Sequence, residues 1–281
     1  MQGMKNVENG EKGEGIMISM DLCGKVAMVT GAGGGIGQAL SLDLAGLGAD
    51  LVLACRGSLE ECKKLEKEIE AMGRKVCTVQ GNIADPRDCE RMVKEAMEFH
   101  GKPVQILVNN AGYFYDVVPL IEMSDEQVNR TIDINLKGTM YMSREVCRNM
   151  VQAGLPGRVV NITSGAAHSG RENFSSYCAS KSGVLGLTRA MALELAPKHI
   201  NVNTVSVGYV EVGRWQGDEG KDAVRANILP RILLRKPGAP RDISRMVCFL
   251  VSECGDWITG SDFIIDGGES CGRIPFVQIE A

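Results

Sequence analysis

KVAMVTGAGGGIGQALSLDLA, residues 25–45, runs from a short apolar stretch through five glycines into a helical pattern. That order reads as strand, glycine turn, helix. A glycine turn lets the backbone approach a pyrophosphate closely, and the helix N-terminus behind it offers orphan N–H groups and the positive end of a dipole. Gly31, Gly33, Gly35, Ile36 and Gly37 are therefore candidate contacts to a phosphate-bearing cofactor.

The same alternation continues down the chain. Apolar runs at about 25–30, 50–55, 75–80, 104–109, 157–163, 200–206 and 262–266 predict seven strands. Helical patterns fall near 35–48, 58–72, 86–100, 124–153, 175–197 and 240–253, with Ser124 and Asp242 as capping residues. The prediction is an α/β fold: a doubly wound, seven-stranded parallel sheet with helices on both faces. Right-handed crossovers then put a nucleotide at the carboxyl ends of the strands, where the winding reverses. No linker-like composition break divides the chain, so residues 20–281 are expected to form a single domain. Residues 1–19, rich in Gly, Glu, Lys and Asn, are expected to be a disordered extension.

A second constellation carries chemistry. Tyr177 and Lys181 stand four apart in YCASK, on one face of a predicted helix. An ammonium one turn from a phenol stabilises the phenolate and pulls its pKa from about 10 toward working pH. Such a phenol exchanges a proton with an alcohol or ketone oxygen. Ser164, at the end of the apolar run GRVVNITS, offers a hydroxyl to the same oxygen.

Together the glycine turn and the Ser, Tyr and Lys positions resemble the short-chain dehydrogenase/reductase family, over about residues 20–270. Asn109-Asn110-Ala111-Gly112 is similar to the family's N-N-A-G turn, which braces the sheet beside the adenosine. Asn135, in DINLKG, matches its catalytic asparagine at a helix-distorting site that holds a water leading to the lysine. Asp266-Gly267-Gly268 matches its last strand and turn. The resemblance implies a Rossmann fold, with Asn135, Ser164, Tyr177 and Lys181 as the catalytic set. It also implies cofactor contacts from Arg56, Asn82, Ile83, Asn110, Ala111, Gly112, Gly208 and Val210 beside the glycine turn, Tyr177 and Lys181.

Departures from the family pattern carry their own information. The second strand ends Cys55-Arg56-Gly57-Ser58, with Cys55 where NAD-preferring relatives carry a carboxylate. Arg56 offers a planar cationic fork suited to a 2′-phosphate, so NADP(H) is expected over NAD(H). Gly34 stands where many NADP-using relatives have a second basic residue. Asn82 replaces the usual aspartate at the adenine, and its amide oxygen can accept the same bond. Val207 and Val212 replace a proline and a threonine near the nicotinamide, which predicts weaker positioning of that ring or a different loop path.

The expected function is NADP(H)-dependent interconversion of a ketone and a secondary alcohol. Overall pattern is most similar to 3-oxoacyl-[acyl-carrier-protein] reductases, although Leu155 replaces a basic carrier-docking residue and Lys198 keeps a second such charge. A catalytically weak nucleotide-binding sensor or assembly protein is the alternative of a different class. The substrate pocket is expected from Gly112-Tyr113-Phe114-Tyr115, from residues 168–174 with His168 and Arg171 orienting a polar tail or facing water, and from 209–231 with Trp215 in a lid.

A net charge of −4 disfavours nucleic acid and anionic membrane as partners, and no 18-residue apolar span occurs. Ten scattered cysteines without a C-x-x-C, and only three histidines, give no metal-ligand spacing. They are read as reduced thiols in a cytoplasmic protein, with Cys178 the one placed for oxidation sensitivity. A homotetramer or homodimer is expected through the helices at 124–153 and 175–197. The apolar tail after Gly268 is expected to reach a neighbouring subunit's pocket.

Overall fold

The computed structural model describes residues 20–114, 116–212 and 225–272. The calls on the N-terminal extension, Tyr115, Trp215 and the end of the C-terminal tail lie outside the described residues.

Seven strands form one parallel sheet: β1 (Val26–Thr30), β2 (Asp50–Cys55), β3 (Val76–Gln80), β4 (Ile106–Asn109), β5 (Gly157–Ser164), β6 (Ile200–Val207) and β7 (Asp262–Ile265). Their order across the sheet is β3-β2-β1-β4-β5-β6-β7. The winding therefore reverses between β1 and β4, and a crevice opens there at the carboxyl ends.

Helices cover both faces because neighbouring strand residues point to opposite sides and both sides are apolar. On one face Val29, Leu51, Leu53 and Val108 pack with α1 (Gly35–Gly46), α2 (Leu59–Ala71) and α7 (Pro240–Val251). On the other, Met28, Val52, Leu107 and Val159 pack with α3 (Pro86–His100), α5 (Gly138–Gln152) and α6 (Ser175–Leu195). Truncating a fully buried leucine such as Leu53 to alanine would cost about 2–5 kcal/mol.

One local reading changes. The single helix expected over 124–153 is divided into α4 (Asp125–Ile132), a π-helical turn (Asp133–Lys137) and α5. Ser124 caps α4 as expected, in a reciprocal box with Gln127. Asp242 caps α7 as expected: from inside the first turn its carboxylate accepts the N–H of Ala239, the residue before Pro240, at 2.8 Å.

A polar network crosses the buried face and is mutually satisfied. Asn109 donates to Ser143 Oγ and Asn161 Oδ1, both at 2.8 Å, and Asn161 donates to Thr188 Oγ1 at 2.9 Å. It ties β4 and β5 to α5 and α6, which carry much of the site.

Candidate active site

At the switch point Thr30 Oγ1 accepts the N–H groups of Asn110 and Ala111, each at 3.0 Å. The Asn110 side chain answers by donating to the carbonyls of Thr30 (3.0 Å) and Gly31 (3.2 Å). The glycine turn and the turn after β4 are thus stitched into one rim. Thr30 was missed as a site residue; a hydroxyl ending an apolar strand just before the glycines is the signal for it.

The turn demands glycine for geometric reasons. Gly31 has φ +65°, and a Cβ there would lie 3.0 Å from Ala111 Cα. A Cβ on Gly33 would come within 2.6 Å of Ser58 Cβ. Gly35, Ile36 and Gly37 form the first turn of α1, so its N–H groups face the crevice.

A cavity of about 460 Å³ opens beside this rim, lined by Gly31, Arg56, Ser58, Asn82, Ile83 and Gly112 among others. Bare backbone, a helix N-terminus and a cation around such a cavity fit a dinucleotide. Cys55 is buried beside Cys62 of α2, so no carboxylate stands at the end of β2. Arg56 is exposed and forms no ion pair among the described residues. Gln80 fixes its backbone by donating to the Arg56 carbonyl at 2.9 Å. Asn82 Oδ1 accepts the Ala84 N–H at 3.2 Å, leaving one lone pair for a nucleobase amine. Arg130, stacked 5.5 Å from the Tyr113 ring, borders the same cavity and was not singled out from sequence.

Ser164 ends β5 and its Oγ accepts the Ala166 N–H at 3.2 Å. Tyr177 is the third residue of α6, with the rings of Phe114 and Phe174 each edge-on at 6.2 Å. Lys181 follows one turn later, 5% exposed, with Nζ 5.9 Å from the Tyr177 ring centre. It donates to the Ile162 carbonyl at 3.0 Å, and burial lowers its pKa to about 8.

Asn135 lies fully buried in the π-helical turn. Its carboxamide is spent on structure: Oδ1 accepts the Tyr113 N–H at 2.7 Å, and Nδ2 donates to the Tyr113 carbonyl at 2.8 Å and Ser180 Oγ at 3.1 Å. Gly112 lies between, its absent Cβ 3.5 Å from both Asn135 Oδ1 and Lys181 Nζ. Gly112 thus brings Asn135 and Lys181 together, and Lys181 in turn lies near the Tyr177 ring and bonds the strand that ends at Ser164.

Residues 208–212 are tied down directly after β6. Gly208 donates to the Ile265 carbonyl at 3.0 Å, Tyr209 accepts from the Gly238 N–H at 3.0 Å, and Val210 is buried at that bridge. These bonds supply stiffness where a proline is missing at Val207. Val212 returns to the glycine turn, its Cγ1 3.0 Å from where a Gly35 Cβ would be.

His168 is exposed, and its Nε2 lies 2.7 Å from Asp262 Oδ2 and 3.2 Å from Ser206 Oγ, so one of its two ring nitrogens is committed to polar groups of the strands. Cys178 Sγ donates weakly to the Ser169 carbonyl at 4.0 Å. Among the described residues no group of three or more His, Cys, Asp or Glu could hold a metal, and no helix is long and apolar enough to cross a membrane.

The family profile described as short chain dehydrogenase matches residues 25–222. This chain belongs to that family. The chain is 35% identical over 253 residues to the 3-oxoacyl-[acyl-carrier-protein] reductase of Rickettsia conorii, covering 89% of this chain and 98% of the relative. It is 33% identical over 253 residues to the 2-dehydro-3-deoxy-D-gluconate 5-dehydrogenase of Dickeya dadantii, covering 90% and 98%. Among solved structures, a blue fluorescent protein from a metagenomic library in complex with NADPH superposes with TM-score 0.79 at 35% identity, over 89% of this chain and 99% of that one. As a short-chain dehydrogenase/reductase, the chain is an oxidoreductase of the class acting on alcohol and carbonyl groups with a nicotinamide dinucleotide.

Proposed function

We propose that the protein interconverts a ketone and a secondary alcohol with NADP(H), using Tyr177 as proton donor and acceptor, Lys181 as its charge partner, Ser164 as the second hydroxyl on the reacting oxygen, and Asn135 as the residue that shapes the turn beside them. The observation that carries this reading is the burial of Lys181 one helical turn from Tyr177, with Gly112 against its ammonium. The bound nicotinamide supplies or accepts the hydride at the substrate carbon. The protein's share is positioning and charge. Tyr177 gives its proton to the carbonyl oxygen, and Lys181 stabilises the phenolate left behind. Ser164 holds the same oxygen from the end of β5. With its carboxamide bonded to Tyr113 and Ser180, Asn135 acts by fixing the loop beside the site to α6.

Arg56, and the lack of a carboxylate at Cys55, support NADP(H) over NAD(H). The rim of Gly31, Gly33, Gly35, Ile36 and Gly37 would hold the pyrophosphate; Asn82, Ile83, Asn110, Ala111 and Gly112 would flank the adenosine, and Gly208 and Val210 the nicotinamide. Titration with NADPH and NADH, followed by nicotinamide fluorescence, tests this. NADPH is expected to bind tighter, and Arg56→Asp to remove that preference. Equal affinities in the wild type would contradict it.

One sheet with a core on each face supports residues 20–281 as a single domain. Exposed Met140 and Leu193 on α5 and α6, and Trp257, Ile264 and Phe249 near β7, support assembly by helix pairing and a second contact at the sheet edge. A cytoplasmic location goes with ten free thiols. A carrier-bound acyl substrate is a narrower second reading, favoured by the Rickettsia relative and by the exposed Lys198.

A further inference from the structure

The turn between β5 and α6 joins two features. Its last residue, Phe174, sets its ring against Tyr177 and donates its N–H to the carbonyl of Arg171 at 3.2 Å, closing the turn through Asn173 at φ +63°. Its other end carries the Arg171 guanidinium, which lies 3.9 Å from where a Gly165 Cβ would be, next in sequence to Ser164. A cation is therefore held beside the proposed reaction centre by the same short turn that packs on its tyrosine.

The charge on this cation is only partly answered. Glu269, 9% exposed, lies 3.7 Å from Arg171 Nη2 and 3.1 Å from Arg231 Nη2. Two guanidinium groups share one carboxylate, so the trio keeps a net positive charge. The Arg171 contact is longer than a hydrogen bond and leaves its fork of donors available. Arg171 is 36% exposed, so a solute can reach it.

We propose that Arg171, backed by Arg231, is a subsite for a carboxylate carried by the substrate some bonds away from the reacting carbonyl, with Glu269 holding the guanidinium in place until that carboxylate arrives. The substrate class is then an oxo acid or hydroxy acid. The inference rests on the ketone/alcohol reading of Ser164, Tyr177 and Lys181 for its geometry. A planar guanidinium matches a carboxylate with two parallel N–H bonds, which an ester or a neutral ketone cannot reproduce.

The test uses the full chain with NADPH and a series of oxo acids, the carboxylate two to five bonds from the ketone, each paired with its methyl ester. The readout is the acid-to-ester ratio of kcat/KM, so a general loss of activity cancels. The wild type should favour one acid of the series, Arg171→Gln should lower that ratio about 10–100-fold, the range for one charged hydrogen bond, and Arg171→Lys should restore part of it. Glu269→Gln should raise the ratio. A ratio unmoved by Arg171→Gln overturns the subsite while leaving the reductase reading intact. If neither acid nor ester is turned over, the reductase reading fails. Binding of the acid to the NADPH-loaded protein, followed by nicotinamide fluorescence, then decides the subsite: loss of binding in Arg171→Gln supports it, and no binding or no loss overturns it.

Discussion

Lys181 donates to the carbonyl of Ile162 at 3.0 Å, two residues before Ser164, so one hydrogen bond locks the spacing between helix α6 and the end of strand β5. The lysine is held out of water by that docking, and burial lowers its pKa to about 8. It carries its charge below that value and loses it above. Ketone reduction should therefore weaken as pH rises past about 8, read as kcat/KM for NADPH, which reports the free enzyme. The stability sign is opposite. Between about 8 and the ordinary lysine value of 10.5 the unfolded chain binds the extra proton, so this group's contribution to folding stability rises with pH. Lys181→Met should abolish turnover and flatten that rise. A reductase profile with no falling limb near pH 8 would contradict the assignment.

The glycine turn makes a paired prediction. Gly33→Ala places a methyl against Ser58, so the loop after β2, which carries Arg56, must shift. NADPH affinity should fall about tenfold or more, with little change in Tm, because both segments lie at the rim of the cavity. Gly33→Ala with Ser58→Gly should recover part of the loss, since the Ser58 side chain supplies the nearest clashing atoms. Absence of any recovery would show that the methyl obstructs the cofactor directly.

His168 should behave as a structural residue. Removing its ring in His168→Ala leaves Ser206 and Asp262 with one partner fewer and should cost about 1 kcal/mol of stability, read by denaturant unfolding. The kcat for any ketone should change by less than threefold. A large rise in KM for one substrate class, with stability intact, would return His168 to the substrate side.

The parts of this architecture that depend on neighbours in sequence were legible before the structure. The strands, the glycine turn, and the Tyr177–Lys181 pair all follow from short-range periodicity and from sterics within a few residues. What stayed hidden depends on contacts across long separations. His168 and Asp262 are 94 residues apart in the chain and meet only because β5, β6 and β7 lie side by side. Glu269 sits just past a recognisable Asp-Gly-Gly turn, yet only the folded chain brings Arg171 and Arg231 to it. DINLKG marks Asn135 as a helix-distorting position, but not the use of its carboxamide on the Tyr113 backbone and Ser180. Nothing in DINLKG itself shows which loop will lie above it.

Single-turnover reduction with Tyr177→Phe tests the central claim most directly. With NADPH bound and a ketone that the wild type reduces, the hydroxyl alone is removed while the ring contacts with Phe114 and Phe174 remain. The account predicts a rate about 10²–10⁴-fold lower with NADPH affinity unchanged. A rate within a few-fold of wild type, with NADPH still bound, would show that the proton comes from another group and would contradict the assignment of Tyr177.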